Sequence, residues 1–198
     1  MVRDPWIELP RHRYDKVWDR FDEAFQFRPS IRPEDWPSFR EPTPSLTWRI
    51  RDLLAEFYPW RDPRAAPYNL ALLHALRACV AEDEPVLALD WQHAAYEFYP
   101  HRLREPHEVA NWCIPALPSG EYHIFVTEDH RLGSLGHPWE QTVCVFGAGF
   151  LDEYRRATPL LTDQIIRQQL DEGNRAQSPN RRRGAGQSCP RRRSGRRG

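Results

Sequence analysis

The sequence has one methionine, four cysteines, almost no lysine and no long apolar run. Lys16 is the only lysine among 28 basic residues, a bias typical of a GC-rich genome. The cysteines lie far apart, without a CxxC pair or the spacing of a disulfide framework, at Cys79, Cys113, Cys144 and Cys189. No stretch reaches the roughly 18 consecutive apolar residues that a membrane span needs, and residues 1–10 lack the apolar core of a signal peptide. We therefore expect a soluble cytoplasmic protein with reduced thiols and no membrane contact.

Motifs that identify common enzymes are missing as well. The chain contains no HExxH, no GxSxG, no P-loop and no GxGxxG sequence that opens a helix. No internal repeat is visible, which excludes solenoid and array architectures. We accordingly expect no cofactor, and no motif assigns a metal site.

Charge divides the chain into two parts. Residues 1–173 carry 19 basic and 28 acidic side chains, a net charge of −9, whereas residues 174–198 carry nine arginines and no acidic residue. The formal net charge of zero is therefore a cancellation. We predict a single globular domain over residues 1–173 and a disordered arginine-rich tail over 174–198, because the tail has too little apolar surface to offset its ordering entropy.

The tail is open to three interpretations. Clustered arginines release counterions from phosphates, which would make the segment a nucleic-acid arm without sequence preference. It could fold back on the acidic body. It is also what an unselected extension in a GC-rich genome would encode, and we favour this last interpretation. A nucleic-acid contact, if there is one, is assigned only to the tail.

Hydrophobic periodicity predicts an α+β fold. Tyr14, Val17, Trp18, Phe21 and Phe25 form one apolar stripe, which predicts a helix that begins after residue 10 and ends by residue 28. A second helix is predicted over 68–81, and helices from about 150 to 172 around a proline. Alternating patterns predict strands over 46–50, 86–91, 94–99, 121–127, 132–135 and 139–146. Because the strands cluster, we expect a mostly antiparallel sheet of five to six short strands with the helices packed on it.

Histidines and carboxylates interleave between residues 90 and 140. Asp90 and His93 flank a predicted strand end, and His137 and Glu140 flank another. Together these four residues form a candidate polar cluster that could supply an acid/base pair or metal ligands. Histidines at strand ends also have an ordinary structural role, in which the ring bonds to backbone groups.

Tryptophans and cysteines offer fewer candidates. Trp91 and Trp139 neighbour the histidine-containing turns, and an exposed pair of them would make an aromatic floor for a ligand or partner. Cys144 lies in the middle of a predicted strand and Cys79 on a predicted helix, where a thiol packs as a small hydrophobic group. We expect neither cysteine to be a nucleophile.

Several segments resemble the bacterial family catalogued as domain of unknown function 2716. The resemblance covers roughly residues 5–157 and is carried by YDKVWDRFDEAFQFRPS (14–30), EPTPSLTW (41–48), LDWQHAAYEFYPHR (89–102) and LPSGEYHIFVTEDHRLGSLGHPWEQTVCVFG (117–147), above all by GHPWEQT (136–142). It implies a bacterial origin and the extent of the domain. It implies no activity, since the family brings no established function or catalytic residue.

Two hypotheses about function remain. The acidic body, the abundant tryptophan and the missing catalytic motifs favour a non-catalytic binding module that takes a basic protein partner, by analogy with immunity-type proteins that occupy nuclease toxins. The alternative is a metal-dependent or acid/base enzyme that uses the histidine and carboxylate cluster. The cluster can act as one site only if its two halves face the same cleft.

Overall fold

The computed structural model describes residues 4–51, 63–104, 112–157 and 164–170. Its strands are β1 (Trp6–Glu8), β2 (Ser45–Arg49), β3 (Val86–Asp90), β4 (Ala95–Phe98), β5 (His123–Thr127), β6 (Gly133–His137), β7 (Thr142–Phe146) and β8 (Ile165–Gln169). Its helices are α1 (Arg11–Phe25), α2 (Ala66–Cys79) and α3 (Ala148–Ala157). Short 3₁₀ turns lie at Pro33–Asp35, Pro63–Ala65 and Pro100–Arg102.

All eight strands belong to one sheet in the order β1-β4-β3-β5-β6-β7-β2-β8. Every neighbouring pair is antiparallel, which confirms the predicted sheet type and the α+β class. β5, β6 and β7 follow one another in the chain through short turns. β2, by contrast, lies between β7 and β8 although it is far from both in the sequence. The two edge positions belong to β1 and β8.

Helices cover both faces of this sheet. Side chains alternate along a strand, so Leu87 and Leu89 of β3 point to one face and Val86 and Ala88 to the other. The first face, which we call the α1 face, packs against Val17, Phe21 and Phe25 of α1 together with Ile124, Val126, Leu135, Cys144 and Phe146 of the sheet. The second face, the α2/α3 face, packs against Leu72, Leu76, Phe150 and Tyr154 together with Trp48, Phe125, Val143 and Val145.

The first helix matches its predicted stripe. Val17, Phe21 and Phe25 are buried, and burying each such side chain stabilises the fold by about 1.5–3 kcal/mol. Arg13 fixes the helix to the sheet through Glu97 of β4 and through Glu128, whose carboxylate lies 3.0 Å away. The helix ends where Gln26 adopts a left-handed conformation with φ of 50°.

The chain between α1 and β2 is held against the core by two aromatic residues. Phe39 is buried with the α1 side of the core, and the Trp36 indole donates to the Ser30 carbonyl at 3.2 Å. The Trp36–Pro37 and Thr43–Pro44 peptide bonds are cis.

The predicted strand count was wrong, because both edge strands were missed. Residues 6–8 were not predicted to form a strand, but they pair with β4. Residues 165–169 were assigned to a helix, but they form β8 on the free edge of β2. Two adjacent β-branched isoleucines and the open backbone groups of β2 favour this strand over a helix, and α3 already ends at Ala157.

Other parts of the predicted organisation lie outside the described residues. These are the arginine-rich segment 174–198 and most of the join between α3 and β8. Within the described ranges, no helix is both long enough and apolar enough to cross a membrane.

The first prediction concerns Gly133 of β6. A Cβ at this position would clash with the Phe125 carbonyl and would lie 2.8 Å from Cζ of Phe146. Because backbone cannot move as a flexible side chain does, Gly133→Ala is expected to lower the free energy of unfolding by about 1–3 kcal/mol in urea denaturation.

Gly149→Ala is the matched control, because a Cβ there meets nothing within 4 Å and the residue lies in α3. The same change should leave stability unchanged or raise it by about 0.5–1 kcal/mol. Equal losses for the two variants would contradict the close approach of β5 to β6.

Candidate functional site

The four residues of the candidate polar cluster lie at the same end of the sheet. Asp90 ends β3 and His137 ends β6, while His93 and Glu140 lie in the turns that follow these strands. The arrangement follows from the antiparallel order, since β3 and β6 run in the same direction on either side of β5.

The structure nevertheless divides these residues between opposite faces. Asp90 pairs with His123 of β5, and His123 pairs with Gly136 of β6. Residues paired in this way share a face, so Asp90 and His123 belong to the α2/α3 face. His137 follows Gly136 and therefore points to the α1 face, where its ring meets Trp36, Tyr122 and Trp139. Asp90 with His93 and His137 with Glu140 thus form two separate pairs.

His137 is fully buried and ties three segments together. Its Nδ1 accepts the backbone N–H of Glu140 at 3.1 Å, so the ring proton belongs on Nε2. Nε2 lies 3.1 Å from the Tyr122 hydroxyl and 3.3 Å from the Ser38 hydroxyl. In this neutral tautomer the single Nε2–H is shared between the two hydroxyl oxygens, and the contact with Ser38 joins its loop to the sheet.

Burial lowers the pKa of His137 to about 4, since its charged form would lose hydration. The neighbouring Glu140 acts in the opposite direction and Arg167 in the same one. Burial also raises the pKa of the Tyr122 hydroxyl, to which the negative charges of Glu140 and Glu121 add. The His137–Tyr122 pair is therefore uncharged at neutral pH and acts as a structural clamp.

Trp91 and Trp139 form the aromatic pair expected from their positions. Their ring centroids lie 6.2 Å apart in an edge-to-face arrangement, and both side chains are partly buried. The buried ring of Tyr122 contacts both indoles, and its centroid lies 5.9 Å from that of Trp91 and 5.3 Å from that of Trp139. The pair therefore presents two rigid, partly exposed indoles at the sheet end on the α1 face.

Glu140 is neutralised by a residue that sequence reasoning missed. Arg167 of β8 forms a two-pronged contact with Glu140, in which Nη2 lies 2.8 Å from Oε2, and its Nε donates to Glu41 at 2.8 Å. Burial by itself would raise the pKa of Glu140, but Arg167 and the Thr142 hydroxyl hold it below its usual value. One guanidinium thus serves two largely buried carboxylates, which leaves a net charge of −1.

Asp90 is the least satisfied polar group at this end of the sheet. Its carboxyl is 14% exposed, and its Oδ1 is buried with no hydrogen-bond partner. Nδ1 of His93 lies 3.4 Å from Oδ1, and Nε2 of His123 lies 3.9 Å from it. The Glu121 carboxylate also has a buried oxygen, Oε2, without a partner.

The tautomer of His123 leaves its Nε2 without a proton to donate to Asp90. Its Nδ1 contacts the carbonyls of Pro115 and Leu117, each at 3.0 Å, so Nδ1 must carry the proton. The lone pair of Nε2 then faces Oδ1 of Asp90, which places two acceptors opposite each other. Burial raises the pKa of Asp90 to about 6 and lowers that of His123 to about 4. The first proton taken up by this pair therefore belongs on Asp90.

The three cysteines in the described residues, Cys79, Cys113 and Cys144, have thiols with raised pKa values. Cys144 is buried, and burial raises the pKa of its thiol to about 12. Burial raises the pKa values of Cys79 and Cys113 as well. All three thiols are protonated at neutral pH, as expected for packing residues. In the described part of the chain, no group of three or more His, Cys, Asp or Glu side chains is arranged to hold a metal ion.

The fold is an α+β protein in which helices cover both faces of an antiparallel sheet. The chain belongs to the family described as "Protein of unknown function (DUF2716)", whose model matches residues 8–151 and confirms the resemblance noted above. It is similar to "Uncharacterized protein YxiI" of Bacillus subtilis (strain 168), with 27% identity over 158 residues that cover 79% of this chain and 96% of YxiI. No solved structure matches it significantly.

The second prediction concerns His137. Its pKa is about 4 in the folded state and about 6.5 in an unfolded chain, so only the unfolded state takes up this proton between those values. The stability contributed by the neutral ring is complete above pH 6.5 and is lost as the pH falls towards 4. His137→Gln, whose amide can accept and donate in the same places, should make this acid loss smaller by about 1–3 kcal/mol.

The measurement is urea denaturation of wild type and His137→Gln at pH 7 and pH 4.5. The contributions of the other titrating groups are the same in both proteins and cancel in the comparison. His12→Gln, on the exposed side of α1, is the control and should retain the wild-type loss. An equal loss of stability between pH 7 and pH 4.5 in wild type and in His137→Gln would show that the His137 ring is not held neutral in the folded state.

Proposed function

We propose that this protein is a non-catalytic binding module whose contact surface centres on the Trp91–Trp139 pair and which takes a basic protein partner. The observation that carries the proposal is the rigid, partly exposed edge-to-face geometry of the two indoles at 6.2 Å. Tryptophan contributes more than most residues at protein interfaces, because it buries a large area at little cost in side-chain entropy.

The support beneath the two indoles favours a preformed surface. Tyr122 contacts both rings and is itself bonded to His137 and to Ser30, whose backbone N–H donates to the hydroxyl at 3.2 Å. Side chains that are already ordered lose little entropy on binding. A partner therefore gains most of the contact energy that this surface can supply.

The charges around the pair favour a cationic partner. Glu140 directly follows Trp139 in the chain, and its carboxylate shares the single guanidinium of Arg167 with that of Glu41, which leaves a net charge of −1. An arginine or lysine side chain on the face of an indole gains a cation–π attraction of about 0.5–2 kcal/mol, and nearby carboxylates add to it. Residues 1–173 as a whole carry a net charge of −9, which speeds encounter with a basic protein.

The third prediction tests this surface by photo-crosslinking. A benzophenone amino acid at Gln92, an exposed residue beside Trp91, should crosslink the full-length protein to a basic protein in native cells. Trp139→Ala should reduce the yield about tenfold, whereas Trp139→Phe should retain most of it because a ring remains.

The same crosslinker at Asp152, exposed on α3 on the other side of the sheet, is the matched control and should give no such product. The yield at Gln92 should fall as salt rises from about 0.05 M to about 0.5 M. Equal products at both positions, or a product that is acidic and indifferent to salt, would refute a basic partner at the tryptophan pair.

A second candidate function, an acid/base enzyme, is favoured by one observation. The Asp90 carboxyl faces the unprotonated nitrogen of His123 across 3.9 Å, beside the 59% exposed ring of His93. A carboxyl with a pKa of about 6 can exchange a proton near neutral pH, which is what a general acid or base requires. In this hypothesis Asp90 is the proton donor, His123 holds its proton-accepting nitrogen towards Asp90, and His93 faces the substrate.

The fourth prediction separates this candidate from the binding module. The carboxyl carbon of Asp90 should titrate near pH 6 by NMR, and Glu121→Gln should lower that midpoint because a nearby negative charge is removed. The enzyme candidate further predicts turnover of a p-nitrophenyl ester at a rate that changes near pH 6. This turnover should be lost in Asp90→Asn and kept in Glu140→Gln. A raised Asp90 pKa with no turnover difference would leave the carboxyl a structural group and would eliminate the enzyme.

A further inference from the structure

An open groove lies beside the end of α1, and none of the residues that line it belongs to the candidate polar cluster. It has a volume of about 610 Å³, within the range that small-molecule sites occupy. Arg28 and Arg40 line it, together with Ser30, Pro37 and Phe39. We call it the Arg28–Arg40 groove.

The two arginines lie on chain segments 25–28 and 38–40, which are joined by backbone hydrogen bonds and which we call the ribbon. The Arg28 N–H donates to the Ser38 carbonyl and the Arg40 N–H to the Phe25 carbonyl, each at 2.7 Å. Phe27 and Phe39 are buried on the inner side of this ribbon, so the alternate positions that hold the arginines face outward.

The ribbon is also anchored to the sheet. The hydroxyl of Ser38 lies 3.3 Å from Nε2 of His137, and the Ser30 backbone N–H bonds to the Tyr122 hydroxyl at 3.2 Å. These contacts fix the floor of the groove in its present shape. The arginines are therefore presented from ordered backbone.

The two guanidinium groups have no acceptor within the part of the chain that the structure describes. Elsewhere in that part, Arg13, Arg131 and Arg167 all contact carboxylates. The groove lining contains one acidic residue, Asp35, and one of its oxygens accepts the Ser30 hydroxyl at 2.7 Å. Both guanidinium groups therefore face one groove without an ion-pair partner among the described residues.

We propose that the Arg28–Arg40 groove binds a small organic oxyanion, a carboxylate or a phosphate monoester that carries a flat apolar group. The guanidinium fork matches both oxyanions through paired hydrogen bonds. Pro29 and Pro37 offer ring surfaces on the same groove, against which a flat apolar group packs. This ligand class is independent of the basic partner proposed for the tryptophan pair.

The fifth prediction is tested on the full-length protein with three ring compounds of similar size: phenyl phosphate, benzoate and neutral benzyl alcohol. Phenyl phosphate or benzoate should give saturable chemical-shift changes at the backbone amides of Gln26, Ser30 and Phe39, and benzyl alcohol should give none. Whichever anion binds more tightly identifies the phosphate or the carboxylate as the recognised group.

The Arg28→Ala/Arg40→Ala double variant should weaken the tighter anion at least about tenfold, a change of about 1.4 kcal/mol. Arg32→Ala is the matched control, because Arg32 is exposed in the same loop but is not among the lining residues. It should bind as wild type does, and both variants should keep the wild-type melting temperature because the side chains are exposed. No saturable shift up to about 10 mM anion, or an equal loss in Arg32→Ala, would overturn the proposal; 10 mM lies well above the roughly millimolar affinity of weak ligands.

Discussion

Because helices cover both faces of the antiparallel sheet, its central strands have no solvent-facing side. All five residues of β5 are buried, and the same holds for the five residues of β6 and of β7. A polar side chain in these strands must find its partners inside the protein, since an unpaired buried group costs about 1–3 kcal/mol. His123 and His137 meet this constraint with opposite roles of the same nitrogen: Nδ1 of His123 donates towards two carbonyls, and Nδ1 of His137 accepts a backbone N–H. Their opposite tautomers follow from that difference.

The same constraint explains why the candidate functional side chains lie at the end of the sheet. Strand ends are where backbone and side chains reach solvent, and Trp91, Trp139 and Glu121 lie there in half-buried positions. On the α1 face, His137 and Tyr122 are hydrogen-bonded to each other and Tyr122 contacts both indoles. On the α2/α3 face, Asp90 keeps an oxygen without a partner, so the two faces differ in what they can do. A binding surface and a proton-exchanging pair can therefore lie at one sheet end without sharing a centre.

Much of the fold could be predicted because its signals are local. The apolar stripe of α1 repeats every three to four residues, and the six inner strands alternate or form apolar runs between turns. The two edge strands gave no such signal, because Trp6–Glu8 has only three residues and Ile165–Gln169 follows a helix and a proline. A strand of this kind forms because a neighbour has unpaired backbone groups, and that neighbour is more than 80 residues away in both cases.

The amino-acid sequence by itself determined the α+β class, the family, the strand-end positions of Asp90 and His137, and the pairing of the two tryptophans with polar turns. Each of these depends on residues close together in the chain. Only the tertiary structure decided which face each side chain occupies and what it contacts, because strand register and long-range packing set both. Ser38 meets His137 across 99 positions, and Arg167 meets Glu41 across 126. No local sequence pattern predicts these contacts. Through them His137 has a structural role, whereas Asp90 keeps an oxygen without a hydrogen-bond partner.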